Sequence, residues 1–331
     1  MSDNASIASM TGVVVIGRNE GDRLRRCLES EVREAQLVLY VDSGSADGSV
    51  SLAKTLGAEV VELDPGTPFT AARARNEGFK RLRAMRATLA YVQFVDGDCE
   101  LCAGWLAKAA RYLSDHEDVA AVSGRLREKY PENSVYNNLC DIEWDTPLGE
   151  AKACGGIAMF RVDAFERVQG FRIDLIAGEE PELCVRLRAL GWRVWRVADE
   201  MALHDSAMSR FGQWWKRSLR AGHAFAQGAG LHGASPERHY VRESHSAWFW
   251  ALGVPLLAFV FSAFLGPIGL VTFAVYPLQV VRLALRGVRS TRENWLYAAF
   301  LVIGKFPEMF GQVQYFARRG LGRRSRLIEY K

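Results

Sequence analysis

The chain has 331 residues, of which 49% are hydrophobic and 24% charged, so it is long enough for one large α/β domain and a smaller second module. Its 42 basic and 38 acidic side chains leave a net charge of only +4, without the concentrated basic surface of nucleic-acid-binding proteins, and we expect no nucleic-acid partner. The apolar and aromatic content excludes intrinsic disorder. Six cysteines are too few for a disulfide-built secreted scaffold.

The N-terminus and the cysteines indicate a reducing, cytoplasmic setting for the first domain. The first ten residues are polar and lack the basic and apolar regions of a signal peptide. Cys99 and Cys102 form a C-x-x-C pair, but no second pair follows at the spacing of a zinc site. We therefore interpret the cysteines as ordinary reduced thiols.

Apolar runs and charged, helix-like stretches alternate through residues 1–243. The apolar, β-branched runs predict strands, and the stretches between them predict helices. In chain order the predicted elements are a strand at 12–17, a helix at 23–33, a strand at 37–41, a helix at 49–56, a strand at 59–63, a helix at 70–85, and strands at 89–95 and 193–203. This alternation predicts an α/β domain over residues 1–243, with a wound, mostly parallel sheet flanked by helices.

Three of the predicted strands end in polar clusters, and ligands of such sheets bind beyond the carboxyl ends of the strands. The clusters are Arg18-Asn19-Glu20, Asp42-Ser43-Gly44-Ser45 and Asp96-Gly97-Asp98. Two carboxylates as close as Asp96 and Asp98 repel each other unless a cation neutralises them, and Mg²⁺ or Mn²⁺ prefers such oxygen ligands. The alternative interpretation of this cluster is a turn, which Asp and Gly also favour.

In the order and spacing of six elements, the chain resembles the family 2 glycosyltransferases, which have the GT-A fold. The elements are VVVIGRNE at the first strand, VDSGSADGS at the second, Arg75-Asn76-Glu77-Gly78 at a helix start, Asp96-Gly97-Asp98, GGIAMFRVDAFERVQGF at 155–171, and Gly178-Glu179-Glu180-Pro181-Glu182-Leu183. The chain departs from the family pattern at Ser43 and Glu180, where aspartate is usual. The resemblance covers roughly residues 12–225.

The resemblance implies that a sugar moves from a nucleotide-diphosphate donor to an acceptor hydroxyl with inversion, assisted by Mg²⁺ or Mn²⁺. Asp98, together with Asp96, would hold the cation that bridges the donor phosphates. His204 would complete this metal site or touch the diphosphate, although a lone histidine is often structural. The implied nucleotide-sugar-binding residues are Asn19, Glu20, Asp42, Arg75 and Asp96.

The candidate catalytic base is a carboxylate of the 178–183 element. We expect Glu180 to take the proton of the acceptor hydroxyl, with Glu179 as the alternative. Pro181 suits the first turn of a helix, which places both carboxylates near the positive end of the helix dipole. Capping of that helix is the competing explanation for the two carboxylates.

The composition changes near residue 244, since residues 244–281 contain no Asp, Glu, Lys or Arg. About 20 apolar residues suffice to span a bilayer, so we expect residues 244–331 to form an apolar, membrane-associated helical region with a basic tail. Gly266 and Pro267 interrupt the run. It is therefore either a hairpin that turns there, which we favour, or one kinked span. A buried helical subdomain or an oligomer interface is the further alternative.

Basic and aromatic residues after this run favour a membrane surface. Arginines mark the cytoplasmic side of a membrane segment, and they occur here at Arg282, Arg286, Arg289 and Arg292. The aromatic residues expected at headgroup depth are Trp295, Tyr297, Phe300 and Phe306. The tail arginines, which suit an anionic leaflet, are Arg318, Arg319, Arg323, Arg324 and Arg326.

Together these features predict a glycosyltransferase at the cytoplasmic face of the inner or plasma membrane, acting on a glycan or lipid-linked acceptor. One alternative is a nucleotidyltransferase, although the Gly-rich phosphate loop that it needs after the first strand is missing. The other is a non-catalytic sugar-nucleotide-binding protein with a degenerate site, which the departures at Ser43 and Glu180 keep open.

Overall fold

The computed structural model of the protein describes residues 10–322. The chain forms two compact units. The sheet unit consists of Met1–Leu175 and Glu179–Ala207, and the helical unit consists of Ile176–Gly178 and Met208–Lys331. The units thus divide after Ala207, and the predicted boundary between residues 243 and 244 stays a prediction.

One sheet of nine strands organises the described part of the sheet unit. The strands are β1 (Thr11–Gly17), β2 (Val38–Asp42), β3 (Glu59–Glu62), β4 (Tyr91–Asp96), β5 (Cys99–Leu101), β6 (Val119–Glu128), β7 (Gly149–Glu150), β8 (Ala158–Arg161) and β9 (Arg193–His204). Their order is β3-β2-β1-β4-β8-β6-β9-β5, with β7 paired to β9.

Helices lie between these strands in the chain. They are α1 (Asp22–Val32), α2 (Ser49–Thr55), α3 (Ala71–Met85), α4 (Trp105–Asp115), α5 (Val135–Trp144), α6 (Val162–Arg167) and α7 (Glu179–Ala189). The predicted strands and helices are confirmed, with ends that differ by no more than two residues. The elements between residues 97 and 178 were not predicted.

The first half of the sheet is parallel, and the second half is mixed. β1 pairs in parallel with β2 and β4, and β2 pairs in parallel with β3. β8 is antiparallel to both of its neighbours, β4 and β6. The prediction of an α/β domain is confirmed. The parallel pairing that the alternating pattern predicts holds among β1, β2, β3 and β4, and it ends at the antiparallel β8.

Both faces of the sheet are buried, because β1, β2 and β4 are apolar at nearly every position. Successive residues of a strand point to opposite faces. Val14 and Phe94 pack into the core on one face, and Val13 and Val95 pack into the core on the other. Gly78 of α3 lets this helix approach the sheet, since a Cβ there would lie 2.4 Å from Cγ1 of Val14.

The helical unit contains six α-helices among the described residues. They are α8 (Phe211–His232), α9 (Val241–Trp248), α10 (Val254–Leu265), α11 (Val275–Ala284), α12 (Thr291–Ile303) and α13 (Lys305–Gly320). A π-helical segment, Phe249–Gly253, joins α9 to α10, and a 3₁₀ segment, Gly266–Ala274, joins α10 to α11. α8 and α13 pack at backbone distance, because a Cβ on Gly222 would lie 1.9 Å from the carbonyl oxygen of Glu308.

The apolar run turns back on itself at Gly266, and its insertion into a membrane as a hairpin stays a prediction. Gly266 has a positive φ of 64°. A Cβ on Gly269 would lie 2.1 Å from the backbone nitrogen of Ser262, so the chain folds back on α10. At the base of the hairpin, the Tyr276 hydroxyl donates to the carbonyl oxygen of Trp250 at 2.5 Å. We call residues 249–284 the apolar hairpin.

The hairpin exposes large apolar side chains. The stretch Val241–Ala284 is long and apolar enough to cross a membrane by length and composition, and only 17% of its most apolar window is buried. Phe264 and Ile268, beside the turn, are 83% and 71% exposed. This exposure argues against the alternative of a buried helical subdomain.

Two aromatic residues predicted at headgroup depth pack inside the helical unit instead. The Phe300 ring meets the Trp214 ring edge to face at 4.8 Å, and Phe306 packs against the cluster of Ala247 and Met309. Trp295 is 42% exposed. Of the predicted tail arginines, Arg323, Arg324 and Arg326 lie outside the described residues.

Candidate active site

Hydrogen bonds between two of the predicted nucleotide-binding segments join the loops that follow β1 and β2. The Asn19 side-chain oxygen accepts from the backbone nitrogen of Ala46 at 2.8 Å, and its own backbone nitrogen donates to the Ser45 hydroxyl at 2.9 Å. The buried Asp42 carboxylate accepts from the backbone nitrogens of Gly44 and Ser45 at 2.9 and 2.8 Å. Both polar side chains therefore fix the shape of these loops.

Glu20 lies beside the Asp96-Gly97-Asp98 segment. Its carboxylate pairs with the Arg23 guanidinium at 2.8 Å. Its Cγ would lie 3.3 Å from a Cβ on Gly97, so the missing side chain of this glycine leaves room for Glu20. The first and third polar clusters thus meet at the carboxyl ends of β1 and β4.

Arg75 joins three other predicted site residues into one cluster. Its Nη2 donates to Asp96 Oδ1 at 2.8 Å. Its Nη1 donates to Glu179 Oε1 and Glu180 Oε1 at 3.0 and 3.1 Å. The guanidinium is 2% exposed and lies over the ring of Phe171, with its carbon 5.6 Å from the ring centroid. Residues from α3, β4 and α7 therefore meet at one edge of the sheet.

The charges in this cluster do not balance, because one guanidinium faces three carboxylates. Burial and, next, the nearby charge of Glu179 raise the pKa of Glu180, Arg75 lowers it, and the resulting pKa is about 7. Burial alone would lower the pKa of Arg75. The neighbouring carboxylates, above all that of Asp96, have the larger effect, so the pKa of Arg75 is raised. Near neutral pH, Glu180 can thus exchange a proton while Arg75 stays charged. A carboxyl group with a pKa near the working pH is suited to general-base catalysis.

Gly156 explains the glycine pair at the start of the 155–171 motif. A Cβ at this position would lie 2.7 Å from Nη2 of Arg75 and 2.9 Å from Oε1 of Glu180. It would also lie 3.3 Å from Oδ2 of Asp96. The backbone before β8 therefore closes against the Arg75 cluster, and only glycine leaves the room for it.

Asp98 and His204 form a second cluster. The His204 Nε2 lies 3.1 Å from Asp98 Oδ2, and their side chains are 12% and 5% exposed. Strand pairing brings them together, because β5 and β9 are antiparallel with Cys99 opposite His204. The Trp144 indole stacks on the His204 ring at 4.6 Å with an angle of 15°. The cluster offers three potential ligand atoms within 4.8 Å of one another, one each from Asp98, Cys99 and His204.

The chemistry of this donor set fits a divalent cation that accepts oxygen and nitrogen. Burial raises the pKa of the Cys99 thiol well above its ordinary value, whereas the metal-binding form of cysteine is the thiolate. This leaves the Asp98 carboxylate and the His204 imidazole as donors. Mn²⁺ accepts both, and Mg²⁺ favours oxygen ligands supplemented by substrate phosphates. Asp96 hydrogen-bonds to Arg75, and its part in holding a cation stays a prediction.

Sequence reasoning missed the residues that position these side chains. Asn76 holds the backbone of Phe171 by two hydrogen bonds, at 2.7 and 2.9 Å, and so places the ring beside Arg75. Asn76 and Phe171 both lie in motifs that resemble the family pattern, and this resemblance could have identified them as site residues. Trp144 had no such signal, because its position over His204 depends on the fold of α5 and β9.

Comparison with known families gives one match in the sheet unit. Residues 12–168 match the family described as Glycosyl transferase family 2. Among curated proteins, no sequence matches the chain.

The chain resembles many solved structures, and two of them align over most of its length. The mannosyltransferase PcManGT from Pyrobaculum calidifontis, in complex with GDP-Man and Mn²⁺, is 18% identical with a TM-score of 0.57; the alignment covers 93% of this chain and 87% of that one. TarS residues 1–349 from S. aureus is 14% identical with a TM-score of 0.51, and the alignment covers 93% of this chain and 92% of that one. At these identities the likeness shows the fold, and it confirms the predicted GT-A type architecture.

Proposed function

We propose a specific reaction for this chain, which is a glycosyltransferase whose residues 12–168 match glycosyl transferase family 2. The donor is a nucleotide-diphosphate sugar, and the sugar moves to an acceptor hydroxyl in a single displacement with inversion. The observation that carries this proposal is the contact of Arg75 with both Asp96 and Glu180, which joins the metal motif to the candidate base. The PcManGT structure, whose title names GDP-Man and Mn²⁺, supports a nucleotide sugar and a divalent cation as ligands.

Glu180 is the base of the proposed reaction. As the acceptor oxygen bonds to the anomeric carbon, its proton passes to a carboxylate oxygen of Glu180, and the bond from the anomeric carbon to the diphosphate breaks. Arg75 stays charged and steadies the ionised form of Glu180 through the hydrogen bond of 3.1 Å. Glu179, at 3.0 Å from the same Arg75 nitrogen, is the alternative base.

The second cluster serves the leaving group. Asp98 and His204 would hold Mg²⁺ or Mn²⁺, which when bound supplies positive charge to the leaving nucleoside diphosphate without a proton. Asn19, Glu20 and Asp42 shape the adjoining loops, where the nucleotide would bind. The Trp144 ring keeps the His204 imidazole in place and limits the access of water to it.

We further propose that the enzyme works at the cytoplasmic face of the inner or plasma membrane. The exposed apolar residues of the hairpin support attachment to a bilayer, since contiguous apolar patches of this kind mark membrane or protein contacts. A lipid-linked or surface-glycan acceptor would then lie within reach of the attached enzyme.

The reaction is tested by incubating the purified full chain with a panel of nucleotide sugars and Mn²⁺ and measuring the release of nucleoside diphosphate. We expect release from at least one donor, its loss in Asp98→Ala, and its retention in the matched surface variant Glu166→Gln, whose side chain is 45% exposed. Equal rates in the wild type and in Asp98→Ala would overturn metal-assisted transfer.

A further inference from the structure

The helical unit contains an open cavity of about 500 Å³ beside the apolar hairpin. Its lining combines three basic side chains with two aromatic ones. The lining residues used below are Arg238, Arg242, His245, Ser246, Phe249 and Trp250. All of them lie outside the residues assigned to sugar transfer.

The cavity presents unpaired positive charge. Arg238 and Arg242 are exposed, and within the described residues neither makes an ion pair with a carboxylate. The carboxylates nearest in sequence, Glu237 and Glu243, do not line the cavity. A guanidinium binds a phosphate with two parallel hydrogen bonds, and two arginines around one opening favour such a ligand.

The same cavity leads into the apolar hairpin. Arg242, His245 and Phe249 are spaced three and four residues apart, so they share one face of α9 and its π-helical extension. Trp250 follows directly, and its carbonyl oxygen accepts the hydrogen bond from Tyr276 at the base of the hairpin. The cationic opening therefore lies where the chain changes from polar to apolar.

The arm of the hairpin before the turn is shorter than the bilayer core. The π-helical segment and α10 together span residues 249–265, a length of about 25 Å, whereas the hydrocarbon core is about 30 Å thick. The stretch Val241–Ala284 exceeds this thickness only because it contains the turn and the returning arm as well. A hairpin of this depth enters and leaves on one side and brings its base to the level of the lipid headgroups. Trp and Tyr are enriched at that level, as at Trp250 and Tyr276 here.

We propose that this cavity binds the phosphate headgroup of an anionic phospholipid in the membrane into which the hairpin inserts. Arg238 and Arg242 take the phosphate, the imidazole of His245 and the hydroxyl of Ser246 add hydrogen bonds, and Phe249 and Trp250 contact the start of the acyl chains. This site rests on the membrane attachment in the proposed function, and it is independent of the transfer reaction.

Vesicle flotation of the purified full chain tests the site. We compare vesicles of phosphatidylcholine alone with vesicles that also contain phosphatidylglycerol, at constant ionic strength. The wild type should prefer the anionic vesicles, and Arg238→Gln with Arg242→Gln should lose about 30-fold of that preference, at roughly 1 kcal/mol for each basic residue at an anionic surface. Both arginines are exposed, so the variant should keep its fold, and circular dichroism checks this.

The control carries the same charge change in the sheet unit. Arg25→Gln with Arg111→Gln removes two exposed arginines that neither line the cavity nor belong to the predicted membrane region, and it should lose clearly less of the preference. An equal loss in both variants, or none in the cavity variant, would overturn the site. Binding of the wild type to neither kind of vesicle would overturn membrane attachment and this site together, and would leave sugar transfer standing.

Free phosphate is the other source of the same chemistry. Inorganic phosphate without vesicles should leave the Tm of the wild type unchanged, because the proposed ligand also needs its acyl chains. A phosphate-dependent rise of Tm that Arg238→Gln with Arg242→Gln abolishes would replace the lipid with a soluble phosphate ligand.

Discussion

The pH dependence of sugar transfer should report the protonation of Glu180. As the proposed base, Glu180 acts only when ionised, and burial raises its pKa to about 7. Below this pH the carboxyl group already holds the proton that it would have to take, so kcat/KM should fall about ten-fold for each pH unit. At about pH 6, roughly one tenth of the enzyme would be active; above about pH 8, the rate should reach a plateau.

Glu180→Gln removes the base and keeps the size of the side chain and an oxygen for Arg75. General-base catalysis contributes roughly 10²- to 10⁴-fold, so kcat should fall by that factor and the acidic limb of the profile should disappear. Glu180→Asp restores the residue that is usual in the family and should keep both activity and the limb. The assay is nucleoside diphosphate release over a pH series at saturating cation.

The matched control is Glu166→Gln, which removes an exposed carboxylate of the same unit that pairs with Arg83 at 2.8 Å. Its profile should coincide with that of the wild type. The reasoning is refuted if Glu180→Gln keeps the wild-type kcat, or if its residual activity shows the same acidic limb, because another group would then accept the proton.

Three further predictions concern the surroundings of this base. Gly156→Ala places a methyl group 2.7 Å from Nη2 of Arg75, so kcat should fall at least ten-fold and the free energy of unfolding by about 1–3 kcal/mol. The control Gly212→Ala, whose Cβ would have no atom within 4 Å, should change neither quantity. Steady-state kinetics and urea unfolding measure the two effects. Arg75→Met leaves three carboxylates without their cation and should lower the free energy of unfolding by about 3–5 kcal/mol at pH 8, less at pH 5, where protonation relieves their repulsion. Phe264→Glu with Ile268→Glu should move the protein from the membrane to the soluble fraction with an unchanged Tm, because placing each charged side chain in the hydrocarbon core costs roughly 2.5–3.5 kcal/mol. Retention of this variant in the membrane fraction would exclude the hairpin as the anchor.

The sequence predicted the elements whose signal is local. β1, β2 and β4 are apolar at consecutive positions because both faces of the sheet are covered, and such runs are visible in any window. The polar residues that end these strands, such as Asn19, Asp42 and Asp96, could therefore be placed at one edge of the sheet. The turn at Gly266 was also predicted from a local signal, because Gly266 and Pro267 interrupt the apolar run.

The contacts that make the site depend on strand order, which no local pattern records. Arg75 and Glu180 are 105 positions apart and meet at one edge of the sheet. His204 reaches Asp98 because β9 returns beside β5. β8 lies antiparallel between β4 and β6, where an alternating pattern predicts parallel pairs, and it is preceded by Gly156.

Binding of Mn²⁺ tests most directly whether Asp98 and His204 form the cation site beside the donor phosphates. Electron paramagnetic resonance can follow free Mn²⁺ during titration of the full chain, with and without UDP or GDP. We predict tighter binding with one of these nucleotides, a loss of at least ten-fold in Asp98→Asn and in His204→Gln, and no change in Glu166→Gln. Unchanged Mn²⁺ affinity in Asp98→Asn would contradict the account.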